Sequence, residues 1–152
     1  MKDFFRFLSR IIATVFFVGY IPVAPGTFAS LAALIFVWLI KPGVPLSGSI
    51  ILVTLFLGTI TAHIAEGIFG EDSGRIVIDE FAGLLISVFL LPLTAGYLIA
   101  AFLLFRFFDI LKPPPIRNIE NAVSGRLGVM LDDVAAGLLT NLLLQLWRAV
   151  AK

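Results

Sequence analysis

Two stretches of this sequence carry adjacent carboxylates in the same setting. Ile76-Val77-Ile78-Asp79-Glu80-Phe81-Ala82-Gly83 and Val129-Met130-Leu131-Asp132-Asp133-Val134-Ala135-Ala136-Gly137 each lead from an apolar triplet into a pair of acids, then into small residues that open an apolar run. One acid at such a start would serve as a helix cap, accepting backbone N–H bonds and suiting the positive end of the helix dipole. A pair repels itself. Two pairs at the edges of apolar helices suit a hard divalent cation between them, because Mg²⁺ prefers carboxylate oxygens and neutralises the repulsion. Carboxylates at membrane depth are expensive and default to a functional reading, with capping alone as the competing explanation.

Three further groups of residues could act with them. Arg106-Phe107-Phe108-Asp109-Ile110-Leu111-Lys112-Pro113-Pro114-Pro115-Ile116 sets an acid between two bases, and its prolines predict a stiff loop that holds Asp109 and Lys112 in place before a substrate arrives. Arg106 and Lys112 would hold phosphate oxygens while Asp109 joined the metal ligands; a basic loop meeting anionic headgroups is the alternative. In Pro22-Val23-Ala24-Pro25-Gly26-Thr27-Phe28-Ala29-Ser30 the spacing predicts a helix capped by Thr27, whose free N–H groups would attract an anion beside the Thr27 and Ser30 hydroxyls. It lacks the lysine and glycine spacing of a nucleotide P-loop, and taken alone it reads more often as a plain helix start. His63, the only histidine, precedes Glu66 by one helical turn and could add or orient a ligand, or simply mark a helix end. Glu71, Asp72 and Arg75 read as a solvated loop, with Asp72 the residue to test.

The elements that must position these groups are apolar. Of 152 residues, 60% are hydrophobic and 14% charged, against roughly 25% charged in soluble domains; the mean hydropathy is +1.08. One compact membrane-embedded domain over 1–152 is expected. No charge occurs over 11–40, 42–65, 81–105 or 134–147, and of the ten acids only Asp3 lies before Glu66. The absence of cysteine excludes disulfides, thiolate metal sites and cysteine nucleophiles, and a net charge of +1 is too balanced to suggest nucleic acid.

Lys2, Arg6 and Arg10 repeat at helical spacing opposite Phe4, Phe7, Leu8 and Ile11, the pattern of an amphipathic helix lying in the membrane interface. A signal peptide would need cleavage beside Pro25 in a Pro/Gly turn, so the segment is expected to be retained. Helices are expected from about 27 to 40, 46 to 62 and 133 to 150, the first two forming a hairpin across the bilayer. Residues 81–105 contain Pro92 and Gly96 near the middle and read either as one kinked span or as a re-entrant hairpin turning at 91–96. If the acidic islands share one site, only the hairpin works. The expected fold class is an all-α, polytopic membrane helical bundle with short or re-entrant helices.

Phosphate-ester cleavage by a cysteine, a histidine pair or an Asp-x-Asp nucleophile is excluded by composition, which leaves metal-assisted attack with carboxylate ligands and cationic clamps. Pro22-x-Ala24-Pro25-Gly26-Thr27-x-x-Ser30, Ile76-Val77-Ile78-Asp79-Glu80-x-x-Gly83, Arg106-x-Phe108-Asp109-x-x-Lys112-Pro113-x-Pro115-Ile116 and Gly128-Val129-Met130-Leu131-Asp132-Asp133-x-x-Ala136-Gly137 resemble the motifs of the phosphatidylglycerophosphatase A family, in order over residues about 19 to 140. The chain departs from that pattern at Ala29, where glycine is usual, and at Ser73, where proline is frequent.

The resemblance implies a bacterial inner-membrane, Mg²⁺-dependent enzyme that removes the terminal phosphate of phosphatidylglycerophosphate. The acids Asp79, Glu80, Asp109, Asp132 and Asp133 are the candidate catalytic and metal-binding set; Pro25, Gly26, Thr27, Ser30, Arg106 and Lys112 are the candidate substrate contacts. The rival class is a small ion- or anion-coupled carrier, since buried acids in a bundle also mark ion pathways. Acids at helix starts and cations suited to phosphate weigh against it.

Overall fold

The computed structural model describes residues 2–70, 73–114, 116–118, 123 and 125–151. All regular structure among them is helical: α1 (Lys2–Ala13), a 3-10 turn (Val18–Tyr20), α2 (Pro25–Ile40), α3 (Val44–Phe69), α4 (Ile78–Ser87), α5 (Ala95–Leu111) and α6 (Arg126–Val150). The protein is an all-α membrane protein. Val44–Phe69 and Leu127–Val150 are long and apolar enough to cross a bilayer. On α3, Leu52, Val53 and Phe56 are exposed, as expected of side chains facing lipid.

α4 is the centre. Nearly every residue from Ile78 to Ser87 is buried, and α2, α3, α5 and α6 pack around it. At ten residues it is roughly 15 Å long, about half the hydrocarbon thickness. α2 approaches through a stripe of small residues, Gly26, Ala29, Ser30 and Ala33, ending at Val37; positions three and four apart share one helical face, so the spacing that makes α2 look featureless in sequence gives it a smooth side for α4. α3 contributes Gly58, Thr61, Ala62 and Ala65 in the same manner.

The chain leaves α4 at Val88, turns, and returns as α5 from Ala95. This is the hairpin alternative, with its turn beginning three residues earlier than the proline and glycine suggest. Irregular backbone at membrane depth is tolerated only where its polar groups find partners, and α6 supplies them. Asn141 Nδ2 donates to Ser87 O (3.1 Å) and Phe89 O (2.7 Å), Gln145 Nε2 to Phe89 O (3.4 Å), and Arg148 to Leu90 O (3.0 Å). Positions 141, 145 and 148 form one stripe on α6, so one helix face serves all three carbonyls.

Four boundaries differ from the sequence reading, and each relocates a candidate site residue. α2 starts at Pro25, with Ala24 as its N-cap in the left-handed region (φ 48°); Thr27 therefore lies inside the first turn and caps nothing. Proline is well placed at the first helical position, where its missing N–H has no partner to lose. α3 continues to Phe69, which puts His63 and Glu66 on a helix rather than past its end. α5 runs to Leu111, so Arg106 and Asp109 project from a helix and only Lys112, Pro113 and Pro114 follow it. α6 begins at Arg126, so Asp132 and Asp133 lie in its second turn, not at its start.

Candidate active site at the acidic end of the bundle

Asp79 precedes Gly83 by four residues on α4, and Asp133 precedes Gly137 by four on α6. In each helix the acid stands one turn from the glycine on the same face. The glycines are where the helices cross: a Cβ on Gly137 would lie 2.5 Å from the Gly83 carbonyl oxygen, and one on Gly83 2.9 Å from that of Asp133. Backbones this close leave no room for a side chain, and the acids one turn away are brought together. The echo between the two sequence stretches is thus the two halves of one helix crossing.

Oxygen atoms of Asp79, Glu80 and Asp133 all lie within 4.8 Å of one another. Asp79 and Asp133 are only 4% and 3% exposed. Asp109, reaching in from the C-terminal end of α5, faces both Glu80 and Asp133 closely enough to interact electrostatically with each. The N-caps are Val77 for α4 and Gly125 for α6, neither with a side-chain cap bond. In the first turn of α4 Asp79 Oδ1 accepts from the Glu80 N–H at 3.3 Å, whereas Asp132 and Asp133 lie beyond the first turn of α6 and cap nothing.

Glu80 explains the glycine of the Pro25-Gly26-Thr27 motif. A Cβ on Gly26 would lie 2.0 Å from Glu80 Oε1, so the carboxylate occupies the space that glycine leaves at the N-terminus of α2, the positive end of that helix. The anion attracted there is one of the protein's own acids. Ser30 is fully buried, its hydroxyl donating to Gly26 O at 2.9 Å; it supports the Gly26 turn and exposes nothing to a substrate. Pro25 and Thr27 are half-buried beside it.

Both cations are engaged. Arg106 donates to Asp109 Oδ2 at 2.5 Å along one turn of α5, and its Nε is buried without a hydrogen-bond partner. Lys112 adopts the left-handed region (φ 43°) at the C-cap of α5 and bonds the carboxylate of Asp132. Asp132 therefore stands beside the three-carboxylate cluster, tied to Lys112, and is 2% exposed. Five acids thus stand against two cations in a mostly buried site.

His63 is exposed on α3 and is not part of the carboxylate cluster. Glu71, Asp72 and Pro115 lie outside the described residues. Sequence reasoning missed Asn141, Gln145 and Arg148, although three polar residues on one face of an otherwise apolar helix are a signal that something polar faces them.

An all-helical membrane protein with a carboxylate cluster at one end of its bundle is the class defined by this fold and site. The model of the family described as Phosphatidylglycerophosphatase A matches residues 11–148. The chain is 36% identical over 135 residues to phosphatidylglycerophosphatase A of Escherichia coli (86% of this chain, 78% of the relative), and 38% identical over 133 residues to that of Haemophilus influenzae (85% and 82%). It is also 38% identical over 154 residues to a Bacteroides thetaiotaomicron protein named "Putative phosphatidylinositol-3-phosphatase" (95% and 96%). No solved structure matches. The chain belongs to the phosphatidylglycerophosphatase A family, and it is accordingly a phosphatase.

Proposed function

We propose that the protein hydrolyses the terminal phosphomonoester of phosphatidylglycerophosphate to phosphatidylglycerol and phosphate, with Mg²⁺ held by Asp79, Glu80 and Asp133. The observation that carries this reading is the gathering of three carboxylates within 4.8 Å. Glu80 Oε2 is buried there without a hydrogen-bond partner, as a ligand atom awaiting a cation would be, and all the donors are the hard oxygens Mg²⁺ prefers. Asp109 and Asp132 complete the acidic set. Mg²⁺ at such a site supplies charge neutralisation and Lewis acidity toward a phosphoryl oxygen.

The chain's own groups do the rest. Arg106 and Lys112, oriented by Asp109 and Asp132, donate hydrogen bonds to the phosphate and to the charge that develops on its oxygens. A buried carboxylate accepts the proton of a water that attacks phosphorus and returns it to the glycerol oxygen as the P–O ester bond breaks. Alternatively, one carboxylate attacks phosphorus itself, the glycerol leaves as the alcohol with a proton from a neighbouring acid, and water then cleaves the acyl phosphate to release phosphate. Pro25, Gly26 and Thr27 border the cluster through the contact of Gly26 with Glu80, which leaves the Thr27 hydroxyl as that motif's contact to substrate.

The catalytic end faces the cytoplasm of a bacterial inner membrane in this reading, because Arg6 and Arg10 lie on the helix that leads into it and basic residues favour that side. A phosphoinositide monophosphate is the second substrate reading, favoured by the name of the Bacteroides relative. Both lipids present a phosphomonoester, so the discriminating experiment is phosphate release by the purified protein from each in mixed micelles at equal surface concentration. Higher kcat/KM on phosphatidylglycerophosphate is expected; the reverse preference transfers the protein to the second reading.

A further inference from the structure

We propose that Arg6, Arg10 and Arg75 form a docking surface for the phosphodiester headgroup of an anionic membrane lipid, separate from the carboxylate cluster. The guanidinium groups of Arg10 and Arg75 each lie 5.6 Å from the centroid of the Phe69 ring, and Arg75 also lies 5.3 Å from that of Tyr20. Tyr20 and Phe69 meet edge to face at 6.0 Å. Cation–π contact of this kind fixes a guanidinium plane while leaving its N–H groups available to an anion. Arg10 Nε is buried and has no hydrogen-bond partner among the described residues. Beside it opens a cavity of about 410 Å³ lined by Asp3, Arg6, Phe7, Arg10, Gly67 and Ile68. Two guanidiniums, Arg6 and Arg10, thus line this cavity with one carboxylate, Asp3, and Arg75 joins them through the Phe69 ring it shares with Arg10; among the described residues none of the three forms an ion pair.

The occupant is identified by depth. Phe4, Phe5 and Leu8 are exposed on the other side of α1, so the helix lies in the interface with its arginines at headgroup level, where an anionic lipid is the abundant phosphate. Arginine's planar fork suits phosphate oxygens. The surface adjoins the carboxylate site: Arg75 precedes Asp79 by four residues, and the Val77 N–H donates to Ala13 O at 2.9 Å, tying the end of α1 to the start of α4.

This inference rests on the membrane placement of α1 and not on the proposed reaction. Its test is native mass spectrometry of the full-length protein in detergent with phosphatidylserine, a diester that is neither substrate nor product of the proposed reaction, against phosphatidylcholine. The protein is expected to retain phosphatidylserine in preference, and the double variant Arg10→Gln/Arg75→Gln to bind it about tenfold more weakly or less. Asp133→Asn is expected to retain it fully. Equal retention of the two lipids, retention by the double variant as by the original protein, or displacement by millimolar inorganic phosphate would each overturn the proposal. Loss in Asp133→Asn would place the lipid in the carboxylate site and overturn it equally. If the double variant does not fold, Arg6→Gln/Arg75→Gln, at two exposed positions, takes its place with the same expected loss, and undiminished retention by it overturns the proposal.

Discussion

Lys112 enters the site with its ammonium already committed to Asp132, from a backbone conformation that lysine seldom adopts, followed by a proline that disfavours it further. Unusual geometry that presents a cation to a buried acid is better suited to positioning than to stability, since a buried ion pair is weak evidence for stability. Lys112→Ala is expected to lower kcat/KM by about 10- to 150-fold through loss of one charge-assisted contact to phosphate. Lys112→Arg, which keeps the charge, is expected to retain most of the activity in the same assay. Unchanged turnover in Lys112→Ala would make the lysine a structural partner of Asp132 alone. The acids themselves were legible in the sequence, because adjacent carboxylates beside apolar runs are too costly to be incidental. Their division was not: that Asp133 joins Asp79 and Glu80 while its neighbour Asp132 turns to Lys112 follows from helical phase, and phase depends on where α6 begins. A start at Arg126 is hidden because Gly125, its N-cap, lacks the side chain that advertises a helix start. Thr27 illustrates the reverse, an attractive cap residue passed over because Pro25 fits the first helical position.

Among the elements, α4 and its turn depend most on their neighbours. A central helix of ten residues ends inside the protein, and Asn141, Gln145 and Arg148 donate to the carbonyl of its last residue, Ser87, and to those of Phe89 and Leu90 in the turn that follows. Asn141→Leu keeps the volume approximately and removes the donors to Ser87 O and Phe89 O. It is expected to destabilise the protein by about 1 to 3 kcal/mol, the penalty of an unsatisfied buried polar group, read as a lowered Tm in detergent. An unchanged Tm would mean that water or Gln145 satisfies these carbonyls. The break in residues 81–105 was legible from Pro92 and Gly96, since each half is too short to span. The turn itself begins earlier, at Val88, because the place where α6 offers donors sets the end of the helix, and the proline only prevents its resumption.

For the molecule as a whole, the hairpin of α4 and α5 returns the chain to the end it left, so that the acids of α4, α5 and α6 and the glycine of α2 meet. Cysteines placed singly at Ser73 and Asn118 are therefore expected to show the same accessibility to an impermeant reagent in intact cells, and one at Ser47 the opposite. Different labelling of Ser73 and Asn118 would show that α4 and α5 together cross the membrane. The class of fold was legible from hydropathy and the absence of strand-like alternation, and the candidate acids that meet from the motifs that carry them. What the sequence withheld was the crossing of α4 and α6, because Gly83 and Gly137 act only as a pair.

The central claim is that the cluster of Asp79, Glu80 and Asp133 binds the magnesium on which phosphate release depends. It is tested most directly by measuring phosphate release from phosphatidylglycerophosphate against free Mg²⁺, for the purified protein and for Asp133→Asn, which keeps the side chain's size and removes its charge. The unaltered protein is expected to be inactive in excess chelator and to recover fully as Mg²⁺ is restored, whereas folded Asp133→Asn stays lower by several orders of magnitude at every concentration. Full activity of the unaltered protein in chelator, or near-normal turnover by Asp133→Asn, would contradict the claim and place the catalytic centre elsewhere.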